Sequence, residues 1–179
     1  MSGYYEMEIC GLKRQLPLCP INDKLDIAGF IIFSDVELTV AACKALLAKV
    51  DEFDVILTSE AKSIPIAYEM ARQSGKNYYV ARKSVKLYMK NVIEASVKSI
   101  TTADDQKLFI DETIVDAIKG KKVLIVDDVI STGKTLVAME ELIAAAGGVV
   151  TGKAAILAEG DSIDRKDITF IEPLPLFFK

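Results

Sequence analysis

Histidine is absent from the 179 residues of the chain. That absence excludes Ser-His-Asp and Cys-His nucleophilic catalysis, histidine-ligated zinc and a histidine general base. Any chemistry must run on carboxylates, cations, backbone amides and hydroxyls. Cysteine is scarce: Cys10, Cys19 and Cys43 form an odd set without CxxC spacing and read as reduced, small apolar residues. No apolar run approaches the roughly 20 residues that cross a bilayer. The opening MSGYYEMEICGLKRQ lacks the basic-then-apolar pattern of a secretory signal. An excess of positive charge is missing too, since 22 Lys and Arg stand against 26 Asp and Glu. Neither nucleic acid nor membrane is therefore expected as a partner, and a cytoplasmic protein is expected.

What remains is ordinary globular material, 51% hydrophobic and 27% charged, of a length suited to one domain over residues 1–179. The first 33 residues read as irregular and strand-like, with Pro17 and Pro20 breaking any helix. Ser34-Asp35-Val36-Glu37 reads as a capping box, and apolar residues at 36, 40, 43, 46, 47 and 50 predict a helix over residues 35–50. Further helices are predicted over 64–74, stopped by Gly75, over 111–118, and over 134–146, closed by Gly147-Gly148. Short apolar runs predict strands at 54–57, 78–81, 106–110, 123–126, 154–158 and 169–171.

Strands alternating with helices predict an α/β fold whose mostly parallel, twisted sheet is covered on both faces. Ligands of such sheets bind at the carboxyl ends of the strands. Three loops fall there: 58–63, Arg82 onward, and 127–135. Residues 84–102, with Lys86, Lys90 and Lys98 and no helical apolar stripe, read as a mobile lid or an exposed hairpin leaving from one of those strands.

The most informative stretch is VLIVDDVISTGKT, residues 123–135. Its ending resembles a nucleoside-triphosphate P-loop, but that loop needs a glycine five residues before Gly133, where this chain has Asp128. A carboxylate there would face the phosphates the loop should cradle. The turn Ser131-Thr132-Gly133-Lys134-Thr135 still suits one phosphate monoester, because amides at a helix start favour an anion and Thr132 and Thr135 add hydroxyl donors. Asp127 and Asp128 just before it suit vicinal hydroxyls or a hydrated Mg²⁺. Phosphate beside diol describes a ribose 5-phosphate.

This block closely resembles the phosphoribosyl-diphosphate (PRPP) motif of the type I phosphoribosyltransferases. DVILTSEAKSIPIAYEMA (54–71) and YYVARKSVKLYM (78–89) are similar to the purine branch, particularly the adenine phosphoribosyltransferases. ARKS and the ASV-x-S of the arm also resemble the xanthine enzymes. The resemblance implies that fold, with a small hood built from residues 1–33 and the C-terminal segment, in a homodimer. It implies transfer of a phosphoribosyl group from PRPP, with Mg²⁺ held mainly by PRPP and water, to a purine base, with adenine giving AMP. The alternatives are a xanthine- or guanine-type enzyme, a pyrimidine enzyme such as the orotate one, and a non-catalytic PRPP-binding regulator.

Carried onto this chain, the resemblance assigns the ribose hydroxyls to Asp127 and Asp128, which also stand near the metal. It assigns the 5-phosphate to Ser131, Thr132, Gly133, Lys134 and Thr135, and the diphosphate to Glu60, Ala61, Lys62, Arg82, Lys83 and Lys86. Family members often carry a non-proline cis peptide in the 60–62 loop. The base is expected between Ile130 and Phe30 of the hood. Three departures stand out. The arm glutamate of adenine enzymes falls near Ile100, with Glu94 six residues away as a substitute, and Ser63 and Lys134 stand where glycine is usual.

Overall fold

The computed structural model describes residues 3–97 and 106–179. Strands β1 (Tyr4–Ile9), β2 (Leu12–Asn22) and β3 (Leu25–Ala28) lie antiparallel, and the expected irregular N-terminus is in fact a meander. Pro17 and Pro20 are accommodated within β2, whose register with β3 shifts between Pro20 and Asn22, as suits a residue with no N–H to give. Helix α1 (Val36–Leu47) follows, then β4 (Val55–Ser59), α2 (Ile64–Ser74) and β5 (Asn77–Ala81). The arm contributes β6 (Ile93–Val97), paired antiparallel with β7 (Gln106–Ile110). Of the 84–102 segment, residues 98–102 lie outside the described residues. Then come α3 (Glu112–Ile118), β8 (Lys122–Ile130), α4 (Lys134–Ala145), β9 (Val149–Glu159), a 3-10 turn (Gly160–Asp164), β10 (Thr169–Leu174) and β11 (Phe177–Phe178).

The central sheet has the order β10-β9-β8-β4-β5 with every pair parallel. Each central strand is apolar on both faces. Ile56, Leu124, Val126 and Ile156 enter one core with α1, α2 and the N-terminal strands, while Leu57, Val123 and Ile125 enter another with α3, α4 and β6–β7. Burying both faces is what turns these strands into continuous Val, Ile and Leu runs. The N-terminal strands and β11 form a second sheet, β1-β2-β3-β11, the expected hood.

Helix α1 is capped by Asp35 rather than Ser34, because Ser34 has a left-handed backbone (φ 70°) and so lies outside the helix. Asp35 Oδ1 accepts from the Leu38 amide at 3.1 Å, and its carboxylate also pairs with Arg14 at 2.6 Å. Among the described residues, no helix is long and apolar enough to cross a membrane.

Candidate active site

Strand β8 does not stop at Val126, as its apolar run suggests. It continues through Asp127 and Asp128 because Val129 and Ile130 keep pairing with Leu157 and Ala158 of β9. On its other side the ladder with β4 ends at Thr58↔Val126. The two acids therefore begin where β4 turns away, and the loop of residues 60–63 fills the gap. A cavity of about 510 Å³ opens there, bounded by Glu60, Ala61, Lys62, Ser63, Asp127, Asp128, Val129 and Thr135, with Lys83, Lys107 and Leu108 on the arm side.

Charge organises this cavity. Lys62 Nζ lies 2.6 Å from Asp128 Oδ2, but off the hydrogen-bonding direction, so that buried oxygen has no aligned donor. Asp127 Oδ1 accepts from the Asp128 amide at 2.9 Å. Both carboxyls are buried, and desolvation followed by the adjacent Asp128 charge pushes the Asp127 pKa above the ordinary carboxylate range. Glu60, on the cavity wall, is held by its neighbours: Arg82 Nε lies 3.2 Å from its Oε2, and the Lys83 amide donates to its Oε1 at 2.5 Å. The Glu60–Ala61 peptide is cis, as the resemblance implies. Lys86 is held aside, its ammonium donating to the Ser84 hydroxyl at 2.6 Å.

A hydroxyl relay ties the 60–63 loop to the acid strand. Thr58 Oγ1 sits 2.8 Å from both the Val126 carbonyl and Ser63 Oγ, and Ser63 Oγ donates to the Ser59 carbonyl at 2.8 Å. Ser63, unusual at its position, is thus a buried structural hydroxyl. Helices α2 and α4 both start at this end of the sheet, and neither has a side-chain cap hydrogen bond. Gly133 opens α4 with φ 74°.

A second cavity, of about 550 Å³, lies between this loop and the hood. It is lined by Ser131 and Thr132, by Ile27 and Leu176 of the hood side, and by Glu159 and Arg165. Burial raises the Glu159 pKa, against a smaller opposing pull from Lys62.

The expected base-binding side chains are not at either cavity. Phe30 and Ile130 are 5% and 2% exposed and belong one to each core. In DIAGFIIF the inward series is Ala28, Phe30 and Ile32, while Ile31 and Phe33 face out. Only the Phe30 carbonyl approaches the site, 3.4 Å from Lys62 Nζ. Sequence reasoning missed Lys107, Glu159 and Arg165, which lie outside any motif. The only signal was for Lys107, the single cation of a predicted strand next to the arm.

Residues 33–174 match the phosphoribosyl transferase domain. The chain belongs to that family. Among its curated relatives is the adenine phosphoribosyltransferase of Thermotoga sp. (strain RQ2), 34% identical over 68% of this chain and 64% of that protein. That stretch spans just under two thirds of the relative's own length. The adenine phosphoribosyltransferase of Kosmotoga olearia is 32% identical over 80% of this chain and 81% of its own. The solved adenine phosphoribosyltransferase of Thermoanaerobacter pseudethanolicus shares the fold, with a TM-score of 0.67 at 22% identity over 95% of each chain.

For a phosphoribosyl transferase domain, two of the departures take a physical form. Glu94 is not among the lining residues of either cavity but pairs at 2.7 Å with Lys107, which bounds the first, while Ile100 lies outside the described residues. Lys134 is the first residue of α4 and half-buried, which places a cation in the first turn of the helix.

Proposed function

We propose that the chain is a purine-salvage phosphoribosyltransferase that transfers the 5-phosphoribosyl group of PRPP to a purine base, adenine before others, with release of diphosphate. The observation that carries this reading is the buried acid pair, placed between a lysine-bearing loop and an uncapped helix N-terminus. A ribose diol supplies a donor to Asp128 Oδ2, which has no hydrogen-bond partner, beside Asp127. The start of α4, with Thr132 and Thr135, receives the 5-phosphate, and Lys62, Lys83 and Lys107 meet the diphosphate.

In the reaction the bond from ribose C1 to the diphosphate oxygen breaks and a bond from C1 to a purine nitrogen forms. The nitrogen's proton leaves to solvent or to the departing diphosphate. The chain's contribution is positioning and electrostatics, which needs no histidine. Mg²⁺ enters with the diphosphate and spreads its charge when bound. The residues present fit that arrangement. No cluster of three or more metal-ligating side chains exists among the described residues, so Asp127 and Asp128 would hold the ion alongside oxygens of the diphosphate and water. The purine is assigned to the hood-facing cavity, between Ile27 and Leu176 with Glu159 accepting from base N–H groups, in place of Phe30 and Ile130.

A cytoplasmic homodimer completes the reading. Val36 and Val40 on α1, Tyr68 on α2, and Leu87 and Tyr88 beyond edge strand β5 are exposed apolar or aromatic side chains that a second copy would cover. The deciding experiment is a panel of adenine, hypoxanthine, guanine and xanthine with PRPP and Mg²⁺. AMP formation is expected to dominate, and Asp127→Asn or Asp128→Asn to reduce turnover by roughly 10²-fold or more. PRPP binding without diphosphate release for any base would favour the non-catalytic regulator instead. A preference for xanthine would favour the second enzyme class.

A further inference from the structure

Arg165 follows the 3-10 turn, far in sequence from the phosphate motif, yet its guanidinium rests against that motif. A Cβ added at Gly133 would collide with Arg165 Nη1. The backbone beneath is fixed, because the buried Ser162 hydroxyl donates to the Ser131 carbonyl and the Arg165 amide donates to Ser162 at 3.3 Å. The other edge of the guanidinium is fixed as well. Nε and Nη2 bind Asp167 at 2.9 and 2.7 Å, and Asp167 is shared with Lys153, itself 2.5 Å from Glu140. Asp167 thus occupies two nitrogens and aims the third, Nη1, at the start of α4.

Electrostatics makes this placement informative. The N-terminus of a helix carries partial positive charge and disfavours a cation. Here Arg165 stands beside α4 while Lys134 occupies its first turn. Asp167 compensates only the far edge of the guanidinium. The near edge lies beside Ser131 and Thr132 on the wall of the hood-facing cavity. An anion between Nη1 and the loop amides satisfies both at once, and a guanidinium anchored on one edge is pre-organised to donate from the other.

We propose that Arg165 is a phosphate-binding residue: Nη1 donates to the phosphate monoester seated on the loop of residues 131–135, and Asp167 is its positioning partner. Gly133 then also leaves the guanidinium its place, since a Cβ there would push Nη1 aside. The proposal rests on reading that loop as the 5-phosphate cradle.

The test uses the full chain and binding as well as turnover. AMP and adenosine, which differ by the phosphate alone, are titrated calorimetrically into wild type, Arg165→Gln, Arg165→Lys and Asp167→Asn, with melting temperatures recorded alongside. Arg165→Gln is expected to weaken AMP by roughly tenfold to a hundredfold, the range for one hydrogen bond to a charged group, and to leave adenosine unchanged. KM for PRPP should rise by a similar factor with kcat changed far less. Arg165→Lys is expected to fall between, and Asp167→Asn to lower the melting temperature while costing less AMP affinity than Arg165→Gln. Equal weakening of AMP and adenosine, or unchanged AMP affinity, overturns the assignment of Arg165. Failure of the wild type to prefer AMP over adenosine overturns the cradle reading, and the proposal with it.

Discussion

At the scale of single residues, the site is a set of charges whose partners must change when substrate arrives. Lys62 neutralises Asp128 at 2.6 Å, and a diphosphate offers it a stronger anion. Asp127 sits beside that pair with its pKa raised by burial and by Asp128. Its folded pKa exceeds the unfolded value of about 3.9, so protonation favours the folded, empty protein. That contribution is complete below about pH 4 and is lost as pH climbs through the raised value. A ribose diol needs the ionised carboxylate as acceptor, so PRPP binding should expel a proton and tighten as pH rises through the same window. Calorimetric titration of PRPP in two buffers of different ionisation heat should register that release near neutrality and none well above it. Asp127→Asn should abolish it. Lys62→Met should raise the Asp127 pKa further and shift the proton release to higher pH, because a counter-charge that lowers it is gone.

The elements explain which of these features could be read from the chain. Helix α2 was legible to the residue, since Pro65 at its start and Gly75 in left-handed conformation at its end are strong local signals. The acid strand was not. Two aspartates resemble a strand's end, and only pairing with β9, about 30 residues away, carries β8 onward. For the same reason the burial of Ile130 and Phe30 could not be read from the chain: which way a side chain faces depends on its neighbours in space, and both are drawn inward. Two element-level predictions follow from contacts local sequence does not reveal. Thr58→Val removes the hydroxyl that links the 60–63 loop to β8, and should cost about 1–3 kcal/mol by chemical denaturation. A Cβ at Gly148 would meet Ile118 Cγ2 at 2.5 Å and the Ile118 carbonyl at 3.1 Å. Gly148→Ala should therefore destabilise by about 1–3 kcal/mol, or several degrees of melting temperature at this length.

The whole molecule divides into a rigid parallel layer and a hood that faces the site across the second cavity. That division was legible in outline, through the change from alternating strand-and-helix signals to a proline-bearing N-terminus. The hood's contributors were legible too, residues 1–33 and the C-terminal segment, but its antiparallel strand order was not, because Pro17 and Pro20 mask the regular pairing of β2. Ligand should stiffen the assembly. At about a hundred times its Kd, PRPP should stabilise the fold by about 2.7 kcal/mol, seen as a rise in melting temperature that Asp127→Asn removes. Light scattering on the free protein should give twice the chain mass, and Tyr68→Glu or Leu87→Glu should shift it toward the monomer.

The pairing of Asp26 with Phe177 joins positions far apart along the sequence. The parallel layer draws on residues from Val55 to Leu174, whereas the hood's sheet is completed only by the pairing of Phe177–Phe178 with β3. Contacts of such span also make assembly slow relative to helical proteins of equal size. A variant truncated before residue 177 should hold its central layer protected from hydrogen exchange while β3, robbed of its β11 partner, exchanges freely.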